Sequence, residues 1–290
     1  MSVPVLDIRD LRLAFQGFDG RTEALKGISL SVNAEERVAL VGESGSGKSV
    51  TARAVLGLIQ ERRDTELTGS IAFEGTELAR LSTAGRRRLR GNRISMIFQD
   101  PVSSLNPVYR IGAQFLEVIR RREPRISKRE GCARAAAKLS EVSITEPERV
   151  LSSYPFQLSG GMCQRVMIAM ALINAPSLLI ADEPGTALDV TVQDQTLRLM
   201  RQLVLEHRAA VLLISHNLGI VREYSDRLYV IYRGRIVEQG ATDSVFRDPR
   251  HAYTRALLDA VPRITRTGIP VVGEDVEAFS APCEIHAEAA

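Results

Sequence analysis

Asp182 and Glu183 stand side by side directly after the apolar run Leu178-Leu-Ile-Ala181. A buried strand that ends this way presents one carboxylate to the shell of a Mg2+ ion and the next to a water molecule. Orienting and deprotonating that water is general-base work, typically worth about 10²- to 10⁴-fold in rate. Two solvated acids at a strand end are common, so the pair takes its meaning from what precedes it. Upstream, Gly42-Glu43-Ser44-Gly45-Ser46-Gly47-Lys48-Ser49 follows the β-type run Arg37-Val-Ala-Leu-Val41. Its glycines let backbone N–H groups turn inward around phosphate oxygens, Lys48 can reach the β and γ oxygens, and the Ser49 hydroxyl is a Mg2+ ligand. A Gly/Ser surface turn would not explain a strand before the loop and a helix that begins at the Lys-Ser pair.

Three further positions extend this chemistry. Gln99 follows the apolar run Ile94-Ser-Met-Ile-Phe98 and offers a neutral amide to Mg2+ or to the attacking water. His216 ends the run Val211-Leu-Leu-Ile-Ser215, where a fixed imidazole could donate a hydrogen bond to a γ-phosphate. Taken singly, each would be unremarkable, and a lone His beyond a buried strand is more often structural. Leu158-Ser159-Gly160-Gly161-Met162 precedes a helical run, Cys163 to Ile173. Ser159 suits an N-cap, and the two glycines let a phosphate approach the exposed N–H groups and the positive end of the helix dipole. That is a second anion site in a chain whose first already takes the triphosphate, so Ser159, Gly160 and Gly161 are read as serving a nucleotide held by another subunit.

The elements that must position these groups alternate along the chain. Short runs rich in Val, Ile and Leu between Leu6 and Ile71, with a turn at Gln16-Gly-Phe-Asp-Gly20, predict strands in a mixed sheet. Ser49 to Leu58 predicts a helix with Val50, Ala54, Val55 and Leu58 along one side. From Pro101 to Pro155 the composition changes, and Ile111 to Arg122 and Lys128 to Val142 predict helices of an inserted lobe. Strand Ser177 to Ala181, helix Val190 to Glu206, strand Ala210 to Ser215 and helix Asn217 to Tyr224 then predict a parallel sheet flanked by helices. The tail beyond Pro262, with Pro, Gly and alternating charge, is expected to be weakly ordered.

Bulk properties narrow the class. A chain of 290 residues that is 44% hydrophobic can bury a large core. With 38 basic against 35 acidic residues, the net charge of +3 does not describe a polycation made for nucleic acid. The basic run Arg86-Arg-Arg-Leu-Arg-Gly-Asn-Arg93 and the charges from Arg120 to Arg129 are read first as solvated faces, with lipid headgroups second. Cys132, Cys163 and Cys283 are odd in number and far apart, which argues against a disulfide framework or a zinc site and for a reducing compartment. Neither a secretory leader nor about 18 successive apolar residues occurs, so the chain is expected neither to span a membrane nor to be exported.

These segments, in this order, resemble the ATP-binding cassette (ABC) ATPases: Walker A at Gly42 to Ser49, the Q-loop Gln99, the signature Leu158 to Met162 with Gln164 and Arg165, Walker B at Leu178 to Asp182 with Glu183, a D-loop Ala187-Leu-Asp189, and the switch His216. The resemblance covers Leu6 to Pro262. It implies an α/β P-loop fold with a RecA-like core, an antiparallel β subdomain and a helical lobe at about 101–165, forming one nucleotide-binding domain over 1–262 with a tail at 263–290. It further implies ATP and Mg2+ as cofactors, with the ion held by Ser49, Gln99 and Asp182, and catalysis by Lys48, Gln99, Glu183 and His216. Two such domains are expected to meet head to tail, so that Ser159, Gly160, Gly161 and Asp189 of one complete the Walker site of the other. The position that matches an adenine-stacking aromatic is Phe15, with Phe18 nearby as the alternative.

Within that superfamily, Met96-Ile-Phe-Gln-Asp-Pro-Val-Ser-Ser-Leu-Asn-Pro107 and His251-Ala-Tyr-Thr-Arg-Ala-Leu-Leu-Asp-Ala-Val-Pro262 look like the bacterial dipeptide, oligopeptide and nickel import ATPases. The implied partners are two transmembrane permeases, a second cassette subunit that is a paralogue or another copy, and indirectly a periplasmic solute-binding protein, but no nucleic acid. The implied place is the cytoplasmic face of the inner membrane. Departures are Ala252 for the usual proline, Asn217 for the usual Asp, and Cys163 beside the signature; a tail with Cys283 alone predicts no iron-sulfur cluster. Alternatives are an importer ATPase for nickel or another small solute, a soluble cassette ATPase of DNA repair or translation, and a small-molecule kinase. The second would be expected to carry a coiled-coil insertion or two cassettes, and the third has no use for 158–162.

Overall fold

Burial alternates along Leu6–Gly17 (β1), with Leu6, Ile8, Leu11 and Leu13 inward. The step from Ile8 to Leu11 breaks the two-residue period. The chain absorbs the extra residue as a register shift against both neighbouring strands, with Asp10 at φ 42°. Gly20–Val32 (β2) and Thr65–Phe73 (β4) pair antiparallel with β1 on either side, and Thr76–Glu77 (β5) pairs with β4. In between lie Arg37–Val41 (β3) and helix Lys48–Val55 (α1). The computed structural model describes residues 3–18, 20–59, 64–185, 190–260 and 284–285. They fall into two compact units, Met1–Arg80 with Leu212–Ala290, and Leu81–Val211.

The second unit begins with Thr83–Leu89 (α2), capped by the Ser82 hydroxyl, which accepts from Gly85 N–H. Ile94–Ile97 (β6) pairs in parallel with Leu178–Asp182 (β7), Ile94 opposite Leu178 and Ile97 opposite Ala181. Both are largely apolar, with β7 buried throughout and β6 buried except for half-buried Met96, as strands of a covered parallel sheet require. Five helices separate them: Pro101–Ser104 (α3), Ile111–Arg122 (α4), Lys128–Glu141 (α5), Pro147–Ser152 (α6) and Gly160–Leu172 (α7). Helix α4 buries Ile111, Phe115 and Ile119, one side chain per turn, while α5 starts on a capping box between Ser127 and Glu130. Val190–His207 (α8) follows β7.

Ala210–Ser215 (β8) carries the chain back to the first unit with every residue buried. Leu218–Tyr224 (α9), Arg227–Tyr232 (β9), Arg235–Ala241 (β10), Thr242–Arg247 (α10) and Ala252–Asp259 (α11) complete it. Strand β9 lies parallel to β3, with Val41 opposite Val230, and antiparallel to β10 through the turn at Arg233-Gly234. Glu284–Ile285 (β11) pairs in parallel with Glu238 and Gln239. Apart from these two residues, the tail expected to be weakly ordered lies outside the described residues, as do Asp189 and Cys283. Among the described residues no helix is long and apolar enough to cross a membrane.

Helices α4 and α8 and strand β8 run within a residue of their expected bounds. The helix expected from Ser49 to Leu58 stops at Val55 because the chain turns at Leu56 and Gly57, and Leu58 is left exposed.

Candidate active site

In the first unit the loop 42–49 joins β3 to α1, the strand-loop-helix context expected of it. The glycines answer to close packing. A Cβ on Gly42 would lie 2.1 Å from the Ile231 carbonyl oxygen of β9, and one on Gly47, at φ 111°, would lie 2.7 Å from Leu25 Cδ2. The loop is thus seated on β9 and β2 with no room for side chains beneath it. Gly234 N–H, in the turn after β9, donates to the Ser46 carbonyl at 2.9 Å, and Ser46 N–H donates to Glu43 O at 3.2 Å. Lys48 is buried, and its ammonium donates to the carbonyls of Gly42 at 2.8 Å and Glu43 at 2.7 Å. Among the described residues the buried Ser46 hydroxyl has no hydrogen-bond partner. An orphaned donor and an inward-folded ammonium in a glycine-lined loop are what an incoming phosphate would satisfy.

His216 is exposed immediately after β8. Its neighbours hold the backbone there: Ser215 Oγ accepts from Asn217 N–H at 3.0 Å, and Asn217 Oδ1 caps α9 by accepting from Gly219 and Ile220 N–H. Asn217 therefore does the capping that an Asp would do. Phe15 is half-buried on β1, opposite Thr22 and Thr65, and Phe18 is exposed.

In the second unit, β7 ends on buried Asp182, and Glu183 follows in the left-handed region at φ 48°. A non-glycine residue held there is an uncommon, mildly strained conformation of the kind that recurs at active sites. Gln99, beyond the end of β6, donates from Nε2 to Glu183 Oε2 at 3.0 Å, so the fold brings two of the expected residues together across 84 positions of sequence. Asp100 caps α3 through Val102 and Ser103 N–H, and hydrogen bonds from Ser103 first and then Val102 hold its carboxyl below the usual range.

The segment 158–162 opens α7. Ser159 is its N-cap and accepts from Met162 N–H at 3.3 Å, with Ser159 and Gly160 exposed. The helix behind it is anchored: Cys163 is buried with its thiol toward the Pro155 carbonyl, and Arg165 donates to Val142 O at 2.9 Å. Burial, with Asp100 adding negative charge nearby, pushes the Cys163 thiol up. The helix N-terminus thus faces solvent, as a site for a group brought from outside the chain requires.

Comparison with known proteins agrees in shape and sequence. The family described as ABC transporter matches residues 25–186, and that described as the oligopeptide/dipeptide transporter C-terminal region matches 237–284. The probable D,D-dipeptide transport ATP-binding protein DdpD of Escherichia coli is 46% identical over 274 residues, 94% of this chain and 83% of that protein. The oligopeptide transport ATP-binding protein OppD of Bacillus subtilis is 45% identical over 264 residues, 91% of this chain and 74% of that protein. Among solved structures, the dimeric post-hydrolysis state of the ATP-binding cassette MJ0796 bound to ADP and Pi is similar with a TM-score of 0.72 at 25% identity, covering 82% of this chain and 98% of that one. Likeness at this level over nearly the whole length carries common descent as well as common shape: the chain belongs to the ABC transporter family, as one of its nucleotide-binding ATPases.

Proposed function

We propose that this ATPase energises the uptake of di- or oligopeptides through a bacterial importer, working as a peripheral subunit on the cytoplasmic face of the inner membrane. The observation that carries the peptide reading is the match of residues 237–284 to the oligopeptide/dipeptide transporter C-terminal region, in the same chain as the ABC transporter match. The names of DdpD and OppD support it. The partners would be two permeases and a second cassette, identical or paralogous.

Roles follow from the chemistry of each group. Lys48 exchanges the Gly42 and Glu43 carbonyls for β and γ oxygens of ATP, and the loop N–H groups and Ser46 hydroxyl take the remaining oxygens. Ser49, Asp182 and Gln99 would hold Mg2+, which supplies charge neutralisation on the triphosphate when bound. A hydroxyl, a carboxylate and an amide, completed by phosphate and water oxygens, suit that ion. Glu183 takes the proton of the water that attacks the γ-phosphorus; as that O–P bond forms, the bond to the β–γ bridging oxygen breaks and ADP leaves. Gln99 steers the Glu183 carboxylate through the bond they share. His216 donates to the γ-phosphate, Phe15 stacks on adenine, and Ser159, Gly160, Gly161 and Asp189 serve the partner's nucleotide. ATP-driven closure of two cassettes and reopening after hydrolysis would transmit work to the permeases.

Two experiments test this. Glu183→Gln should keep ATP affinity within about threefold and lower turnover by at least about 10²-fold, the weight of a general base; turnover near wild type would remove Glu183 from that role. Purifying the chain from gently solubilised membranes should recover two multi-spanning permeases and a second cassette. Recovery of ribosomes or DNA-repair factors instead would leave the ATPase standing and overturn the importer.

A further inference from the structure

Residues 251–254, His-Ala-Tyr-Thr, open α11, with His251 as its N-cap. In the fold their tyrosine reaches the phosphate loop. Tyr253 is wholly buried, and its hydroxyl accepts a hydrogen bond from the backbone N–H of Glu43 at 3.0 Å. That N–H belongs to the same peptide unit as the Gly42 carbonyl, and the Gly42 carbonyl accepts from Lys48 Nζ at 2.8 Å. A peptide unit is planar, so fixing the direction of its N–H fixes the direction of its C=O. The 42–43 peptide is therefore clamped between Tyr253 on one side and the ammonium of Lys48 on the other.

The rest of the segment holds Tyr253 still. Its ring packs on Tyr232 with centroids 4.3 Å apart, and the Arg233 guanidinium covers the other ring of that pair at 5.3 Å. Its own N–H donates to His251 Nδ1, which caps α11. The N–H groups of Arg250 and His251 in turn donate to the buried carboxylate of Glu238 on β10, at 2.9 and 3.1 Å. Burial pushes the Tyr253 phenol well above its ordinary range, so it stays a neutral hydroxyl at every working pH.

We infer that Tyr253 is a positioning residue for the nucleotide site, orienting the Gly42–Glu43 peptide and through it the resting place of Lys48, and that Glu238 and His251 brace it. The C-terminal region of this chain is then part of the phosphate loop's support. The inference rests on Lys48 as the phosphate-binding cation.

Tyr253→Phe keeps the ring and removes the hydroxyl. In the full chain, titrated with MgATP, its Kd should rise about 3- to 10-fold, the weight of one hydrogen bond, with the thermal midpoint close to wild type. Amide hydrogen exchange at Glu43, slow in the wild type, should quicken. Fast exchange at Glu43 in the wild type, an unchanged Kd, or a raised Kd with Glu43 still protected would each overturn the inference. Where Tyr253→Phe does not fold, Glu238→Gln leaves the ring in place and loosens α11; its Kd should rise in the same direction, and an unchanged Kd again overturns the brace. Lys48→Ala run alongside separates the two layers. If it loses ATP and Tyr253→Phe does not weaken binding, only the brace fails; if it retains ATP affinity, the role given to Lys48 fails and the brace with it.

Discussion

At the scale of single residues, environment decides what a side chain can do. Cys163 and Cys132 are the same chemical group, but Cys163 is fully buried against the Pro155 carbonyl while Cys132 is half-buried on α5. With its thiol pushed up by burial and by Asp100, Cys163 holds almost no thiolate at neutral pH. Iodoacetamide at pH 8 should modify Cys163 only after denaturation, as read by peptide mass spectrometry; labelling in the native protein would contradict that burial. Glu183 and Gln99 make the complementary point. Their residue types and their place after apolar runs were visible in the sequence, but that one donates to the other at 3.0 Å was not, because 84 residues separate them.

At the scale of elements, the caps and turns set where each helix starts and hence where the neighbouring functional residue points. Asn217 stands between His216 and α9 and satisfies two of its orphan N–H groups. Asn217→Ala should cost about 1 kcal/mol of stability in urea unfolding, whereas Asn217→Asp, an anion at a helix N-terminus, should not; equal losses in both would mean that the cap is not what holds the turn. The β4–β5 corner depends on a carboxylate in a similar way. Burial raises the Glu77 pKa, but bonds from the Ser70 hydroxyl and the N–H groups of Ile71 and Ala79 outweigh it, so in the folded protein the carboxyl is held below the ordinary glutamate range. A lowered pKa stabilises the fold above the unfolded value and is lost as pH falls through the folded one. The urea midpoints of wild type and Glu77→Gln should therefore differ at pH 7 and draw together by about pH 3; a gap that does not close would show that the charge is not what Glu77 contributes. Apolar periodicity foretold α4, whose Ile111, Phe115 and Ile119 face inward, yet could not foretell that α1 stops at Val55 with Leu58 exposed, since burial of Leu58 would have needed a neighbour the local pattern does not name.

At the scale of the whole molecule, the chain carries the loop 42–49 and, at 158–162, a helix start whose Ser159 and Gly160 are exposed; in the proposed reading the second serves a nucleotide held by another cassette. If each site is completed by a second cassette, turnover of the purified chain should fall more steeply than its concentration on dilution, or be absent at every concentration if the partner is a paralogue. Specific activity that is finite and independent of concentration over about a 50-fold range would show that one copy suffices.

The chemical inventory was already written in the amino-acid string: a loop at 42–49, carboxylates at 182–183 and the Ser-Gly-Gly cap at 159–161, each contiguous, with a spacing that sets its own local geometry. The tertiary structure alone decided how that inventory is held. Ile231 of β9 lies against Gly42, Gly234 in the β9–β10 turn donates to the Ser46 carbonyl, and Tyr253 reaches Glu43 across 210 residues of sequence. Periodicity and propensity report on neighbours within a few turns or one strand, so they show that a strand or helix exists and which side is apolar. A hydrogen bond between distant segments depends on where the fold sets two backbones against each other. For that reason the loop was legible residue by residue, and the tyrosine that steadies it was not.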